Sequence, residues 1–188
     1  MGLTSSVMLP LNTIAPDFNL LNVMNNQHQS LKTLKGKKGT LIMFICNHCP
    51  YVKHVQEEIV NIANHYQKEG ITVLAISAND SEQYPEDSPK KMKSVALELG
   101  YPFPYLYDET QMVAKAYQAV CTPDFFLFDT KMCCVYRGQL DDSRPGNKIP
   151  VSGKDLRLAI DNLLIGNPID ENQKPSIGCN IKWKKANE

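Results

Sequence analysis

Thr40-Leu41-Ile42-Met43-Phe44-Ile45-Cys46-Asn47-His48-Cys49-Pro50-Tyr51-Val52 is the stretch that decides the fold. Its first six residues form a continuous, mostly apolar run of strand length, which suits a central strand covered on both faces. A helix is expected from Pro50 to about Glu69, because Val52, Val55, Ile59, Ile62 and Tyr66 recur at three- and four-residue spacing. Gly70 suits the position just past its end. Ile71 to Ser77 reads as a second apolar strand, and a strand–helix–strand crossover implies parallel pairing.

The chemistry sits where the first strand meets the helix. The thiolate, not the thiol, is the nucleophile. Unpaired N–H groups and the helix dipole at a helix start favour a negative charge. Two intervening residues place the second sulfur one turn along, within reach of a disulfide. Cys46 is therefore the candidate attacking group and Cys49 the candidate resolving group. Asn47 and His48 fill the space between them, and Pro50 fits a first helical turn, where no donor is lost. A protonated His48 would favour thiolate over disulfide; a surface histidine without redox effect is the plain alternative. Half a zinc site is the other reading of a C-x-x-C pair. Cys133 and Cys134 are adjacent rather than spaced, and His28 (turn), His54 and His65 (exposed helix positions) supply no ligand pair. No metal and no cofactor are expected.

Outward from this unit, Phe18, Leu20 and Val23 with the turn signal Asn25-Asn26 read as a small hairpin. Asn79 to Ser88 reads as a polar loop, with Ser88-Pro89 opening a helix that ends at Gly100. A short helix is expected around Thr110 to Tyr117, then strands Phe125 to Phe128 and Cys133 to Arg137 as an antiparallel hairpin. Leu156, Ala159, Ile160, Leu163 and Leu164 mark a last amphipathic helix closed by Gly166. Thr122-Pro123 opens the late hairpin, and a proline there is compatible with either a cis or a trans bond. The order is that of an α/β sandwich with a mixed sheet. The tail from Asn167 has little periodicity, but Ile177, Ile181 and Trp183 give it apolar groups with which to dock.

At 188 residues the chain suits one domain with extensions: an arm over 1–14, a domain over 15–166 and a tail over 167–188. Twenty basic and twenty acidic residues balance to zero formal charge, which offers no basic surface for nucleic acid or membranes. Lys182, Lys184 and Lys185 read as a solvated cluster. Met1 to Thr13 lacks the pattern of a secretory signal, and no apolar run approaches the ~20 residues that span a bilayer. A cytoplasmic location is expected. Cytosolic thiols are kept reduced, so the six cysteines are not expected to form a disulfide framework.

Taken together these residues resemble the thioredoxin-like superfamily, in its redoxin (AhpC/TSA) branch, and within that the peroxiredoxin-like group carrying a thioredoxin-type CxxC. The resemblance rests on Ala15-Pro16-Asp17-Phe18, on Phe44 to Val52, on Cys121 to Asp129, on Tyr136-Arg137-Gly138, and on the tail segment Pro175 to Trp183. It implies a three-layer α/β/α sandwich with an N-terminal hairpin extension and an irregular tail. It further implies an exposed nucleophile at Cys46 with Cys49 more buried, a cis bond at Pro123, and Thr122 beside the sulfurs with its backbone free for substrate. Cys121 and Cys179 are candidate third thiols; Cys121 also reads as a small buried apolar residue.

Two departures bear on function. Thioredoxin carries a tryptophan just before the pair and an acidic residue about six positions upstream, where this chain has Ile45 and Thr40. Peroxiredoxins place a threonine or serine three residues before the peroxidatic cysteine; if Cys49 is that cysteine, Cys46 replaces the hydroxyl. The leading reading is thus a thiol–disulfide oxidoreductase acting on a protein or low-molecular-weight disulfide and served by an upstream reductant such as thioredoxin or glutathione. The alternative is a thiol peroxidase with Cys49 peroxidatic and Cys46 resolving. Copper delivery would need a distant histidine, and none follows His65.

Overall fold

The computed structural model describes residues 3–185; the outermost residues of the arm and tail lie outside that range. In chain order the elements are β1 (Leu3–Ser5), β2 (Asn19–Asn22), β3 (Gln27–Ser30), α1 (Leu31–Leu34), β4 (Gly39–Phe44), α2 (Pro50–Tyr66), β5 (Ile71–Ser77), α3 (Pro89–Glu98), β6 (Tyr105–Tyr107), α4 (Met112–Ala116), β7 (Cys121–Thr122), β8 (Asp124–Phe128), β9 (Cys134–Gly138), α5 (Lys154–Ile165) and β10 (Ile177–Asn180). Seven strands form one mixed sheet in the order β3-β2-β6-β5-β4-β8-β9. β4 lies at its heart, parallel to β5 and antiparallel to β8.

Alternation along β4 divides the core. Leu41 and Met43 face α2, α3 and α5, which contribute Val52, Val55, Ile59, Met92, Ala96, Leu156 and Ile160. Ile42 and Phe44 face the other side, where α1, α4 and the N-terminal arm supply Leu31, Ala114, Tyr117, Leu9 and Phe18. Helices cover both faces, and for that reason β4 is buried along its whole length. The expected α/β/α sandwich with a mixed sheet is what forms. Cys46 follows β4 directly, and the helix behind it begins on time, with Pro50 in its first turn.

Four expectations are corrected. The tail is not irregular throughout: Ile177–Asn180 forms β10, antiparallel to β1 and to β7 in a separate three-stranded sheet. Lys182 is not part of a solvated cluster. It is 7% exposed, its N–H donates to Asn79 Oδ1 and its carbonyl accepts from Asp80 N–H; Lys184 and Lys185 are exposed. His28 lies in β3 rather than a turn, and His54 is not a free surface group, since its Nε2 lies 2.7 Å from Ser143 Oγ.

Gly178 shows how closely β10 sits on the domain. A Cβ at that position would lie 1.9 Å from the Thr122 carbonyl oxygen, so only glycine allows this approach. Gly178→Ala is expected to destabilise the protein by about 1–3 kcal/mol, the usual cost of overpacking, as measured by urea denaturation at constant m-value.

Candidate active site

Three elements meet at the pair: the end of β4 with the start of α2, the turn Pro85–Asp87, and the loop between β7 and β8 that carries the cis Thr122-Pro123 bond. Cys46 Sγ lies 3.4 Å from Thr122 Oγ1. Cys49, at the N-cap of α2, has its Sγ 3.3 Å from the Thr122 carbonyl oxygen. Thr122 thus touches both sulfurs.

Two features differ from the sequence reading. Cys46 is not exposed: it retains 2% of its surface and Cys49 none. The Thr122 backbone is not free either, because Cys179 of β10 lies directly opposite it in the antiparallel ladder.

The two sulfurs are coupled, and the charge favours Cys49. Its hydrogen bond with Cys46 does most to pull the Cys49 thiol down to about 4; burial opposes this, while Cys179, the Val52 N–H and the Thr122 side chain add to it. Cys49 forms no closed side-chain cap, so the Val52 N–H acts on it as the leading edge of the helix dipole. Cys46 is raised well above the ordinary thiol range by the same sulfur–sulfur bond, by burial and by the charge on Asp87. The helix mouth therefore stabilises the second sulfur of the pair, not the first as the sequence suggested.

Asp87 is the site residue that sequence reasoning missed. It is fully buried in what read as a polar loop. Its carboxylate accepts from the Asn47 N–H at 2.7 Å, from Asn79 Nδ2 at 2.7 Å, and meets His48 Nδ1 at 2.5 Å. Burial works to raise its pKa, but His48, Asn79 and Asn47 together hold it below the usual carboxylate value. Asp87 in turn raises His48 against the effect of burial. His48 stacks flat on Tyr84 with ring centroids 5.3 Å apart. When protonated, its charge is shared between Asp87 and the Cys49 sulfur, while Asp87 works against ionisation of Cys46. Asn47 ties the two loops together, its side chain donating to the Glu86 carbonyl at 2.7 Å and accepting from Tyr105 at 3.2 Å. A local signal existed only in the Pro85 and Pro89 that bracket Asp87, and these mark turns rather than chemistry.

The candidate ligand atoms of Cys46, His48 and Asp87 all lie within 4.8 Å of one another. One soft metal ion could be held there only by displacing the His48–Asp87 bond. Cys121 is buried and its thiol is pushed far up by burial and by Asp124, which fits the apolar reading of that residue. Cys179, by contrast, lies in the same buried cluster as Cys46 and Cys49, and burial with the influence of Cys49 raises its thiol. Among the described residues no helix is long and apolar enough to cross a membrane.

The AhpC/TSA family model matches residues 11–137. No curated protein sequence matches the chain. Among solved structures, an uncharacterized conserved protein from Geobacillus kaustophilus is 60% identical, covers 100% of this chain and 99% of its own, and superposes with a TM-score of 0.98. A hypothetical protein from Sinorhizobium meliloti is 43% identical over 97% of this chain and 100% of its own, with a TM-score of 0.95. The thioredoxin domain of a thiol-disulfide oxidoreductase from Bacteroides vulgatus, 20% identical, covers 72% of this chain and 92% of its own at a TM-score of 0.61; it shares the thioredoxin-like fold.

Two measurements check the electrostatics. Thiolate absorbance of the reduced protein should show one step with a midpoint near 4, far below an ordinary cysteine at about 8.5, and Cys49→Ser should remove that step. Asp87→Asn removes the largest upward influence on His48, so the His48 pKa read by NMR should fall; an unchanged value would remove Asp87 from the site.

Proposed function

The chain belongs to the AhpC/TSA family, and we propose that within it this thioredoxin-like redox protein is a thiol–disulfide oxidoreductase working through Cys46 and Cys49. The observation that carries the reading is the cysteine pair at the start of α2 facing the loop of Thr122, with Cys46 Sγ 3.4 Å from the Thr122 hydroxyl and Cys49 Sγ 3.3 Å from its carbonyl oxygen.

Attack begins at Cys46, the sulfur with residual exposure. As Cys46 Sγ approaches one sulfur of a substrate disulfide, its proton passes to Cys49. The substrate S–S bond breaks, a Cys46 mixed disulfide forms, and the first substrate thiolate leaves and takes a proton from water. Cys49 then attacks Cys46 Sγ, its proton passing to the departing substrate sulfur. The second substrate thiol leaves, and a Cys46–Cys49 disulfide remains. Two electrons have moved to the substrate. A thiol reductant such as thioredoxin or glutathione returns them by the same exchange run against the protein disulfide. The substrates this chemistry suits are disulfide-bearing proteins or low-molecular-weight disulfides.

One observation favours a second reading, a thiol peroxidase with Cys49 as the peroxidatic group: Cys49 carries the acidic thiol. Its complete burial and the replacement of the peroxide-orienting hydroxyl by Cys46 weigh against it. Cys46→Ser should reduce exchange with a model disulfide to the uncatalysed background, whereas low-dose hydrogen peroxide should leave no dimedone-trappable sulfenic acid on Cys49. Retained exchange in Cys46→Ser, or a dimedone adduct on Cys49 of the native protein, would shift the assignment to the peroxidase.

A further inference from the structure

The loop before Pro123 is where an extended substrate would pair with a thioredoxin-like site, and in this protein the position is occupied. β10 lies antiparallel to β7, with Cys179 opposite Thr122 and Asn180 opposite Cys121. Two residues further along, the Ile181 N–H donates to the Val120 carbonyl at 2.9 Å. Narrow and wide pairs alternate in an antiparallel ladder, so Cys179 and Thr122 form the next hydrogen-bonding pair. The chain's own tail is therefore docked as a substrate strand would be, and it carries a cysteine at the position facing the sulfurs.

The packing is specific. Gly178 allows the strand to press against the Thr122 carbonyl. Downstream, Lys182 is clamped through its backbone by Asn79, Asp80 and Gln111. Asn79 also donates to Asp87, so the tail anchor and the His48–Asp87 pair belong to one network. The donors at the start of α2 are divided between two sulfurs: Pro50 has none, the Tyr51 N–H favours charge on Cys179, and the Val52 N–H favours charge on Cys49. Cys49 thus shares one buried cluster with two other thiols, Cys46 and Cys179, and each lowers its pKa.

We propose that Cys179 is a third redox-active residue of this site, an internal substrate thiol that exchanges with the Cys46–Cys49 disulfide to give a Cys49–Cys179 disulfide. The inference rests on the oxidoreductase reading, which supplies the first disulfide. In the step, the Cys179 thiolate attacks Cys49 Sγ, the Cys46–Cys49 bond breaks as the Cys49–Cys179 bond forms, and Cys46 leaves as the thiolate. The proton lost by Cys179 ends on Cys46, and no electrons are gained or lost overall. Oxidation of the pair sets up this attack. In the reduced protein, burial and then the bond to Cys49 and its charge hold the Cys179 thiol up at about 12. Once Cys49 is in a disulfide its charge is gone, while the Tyr51 N–H and the positive charge of Lys182 still favour the Cys179 thiolate. The product frees Cys46 for a second substrate while the tail is locked over the site.

The test is disulfide mapping of the full chain. Reduced protein is oxidised with excess glutathione disulfide, quenched in acid, alkylated and digested with trypsin without reduction. A peptide linking Cys49 to Cys179, present beside the Cys46–Cys49 form, is the expected result. In Cys179→Ser, only the Cys46–Cys49 link should form; in Cys46→Ser, which lacks the attacking sulfur, neither link should form. If the native protein yields the Cys46–Cys49 link alone, with Cys179 fully alkylated, the inference is overturned and the oxidoreductase reading stands. If the native protein yields neither link, both fall.

Discussion

The coupling between the Cys46 and Cys49 sulfurs at the mouth of α2 sets where the charge of the site falls. The burial that surrounds the pair would by itself keep both sulfurs protonated and inert. Hydrogen bonding reverses that for one of them: with a thiol on each side and a helix terminus ahead, Cys49 carries a charge that Cys46 is correspondingly denied. Both facts follow from where β4 ends. Its six buried residues lock the strand into the centre of the sheet, so the chain leaves the sheet at Cys46 and must start its helix within a few residues, bringing N–H groups and sulfurs together.

The surroundings then decide how that charge is balanced. His48 could have supplied a full positive charge to the sulfurs, but Asp87 takes much of it. Asp87 is itself kept in place by Asn47 and Asn79, and Asn79 continues to the tail at Lys182. A buried carboxylate with three partners is costly to leave incomplete, so the loops on either side of the pair and the tail are coupled through it. Thr122 closes the site from the opposite wall with its hydroxyl on one sulfur and its carbonyl on the other.

The elements legible in the sequence were those whose signal is local. β4 is a run of apolar residues, α2 repeats its apolar positions every three or four residues, and β5 matches the expected span of Ile71 to Ser77. The cysteine pair at their junction was legible for the same reason. What was not legible depends on remote partners. β10 is four residues without periodicity, and it becomes a strand only because β1 and β7 lie on either side. Because that cover comes from the far end of the chain, Cys46 read as exposed and Lys182 as solvated. Asp87 has no mark of its own in a loop of polar residues; only folding brings His48 and Asn79 onto it. The choice of sulfur for the charge was missed because the second donor thiol, Cys179, is equally distant.

The dependence of the reduction potential on pH tests this coupling of the two sulfurs most directly. If the reduced pair holds one thiolate and one thiol between about pH 5 and 8, each reduction takes up a single proton, and the potential should fall by about 30 mV per pH unit for this two-electron couple. A fall of about 59 mV per unit across the same range would mean that two ordinary thiols form on reduction, and would contradict the account.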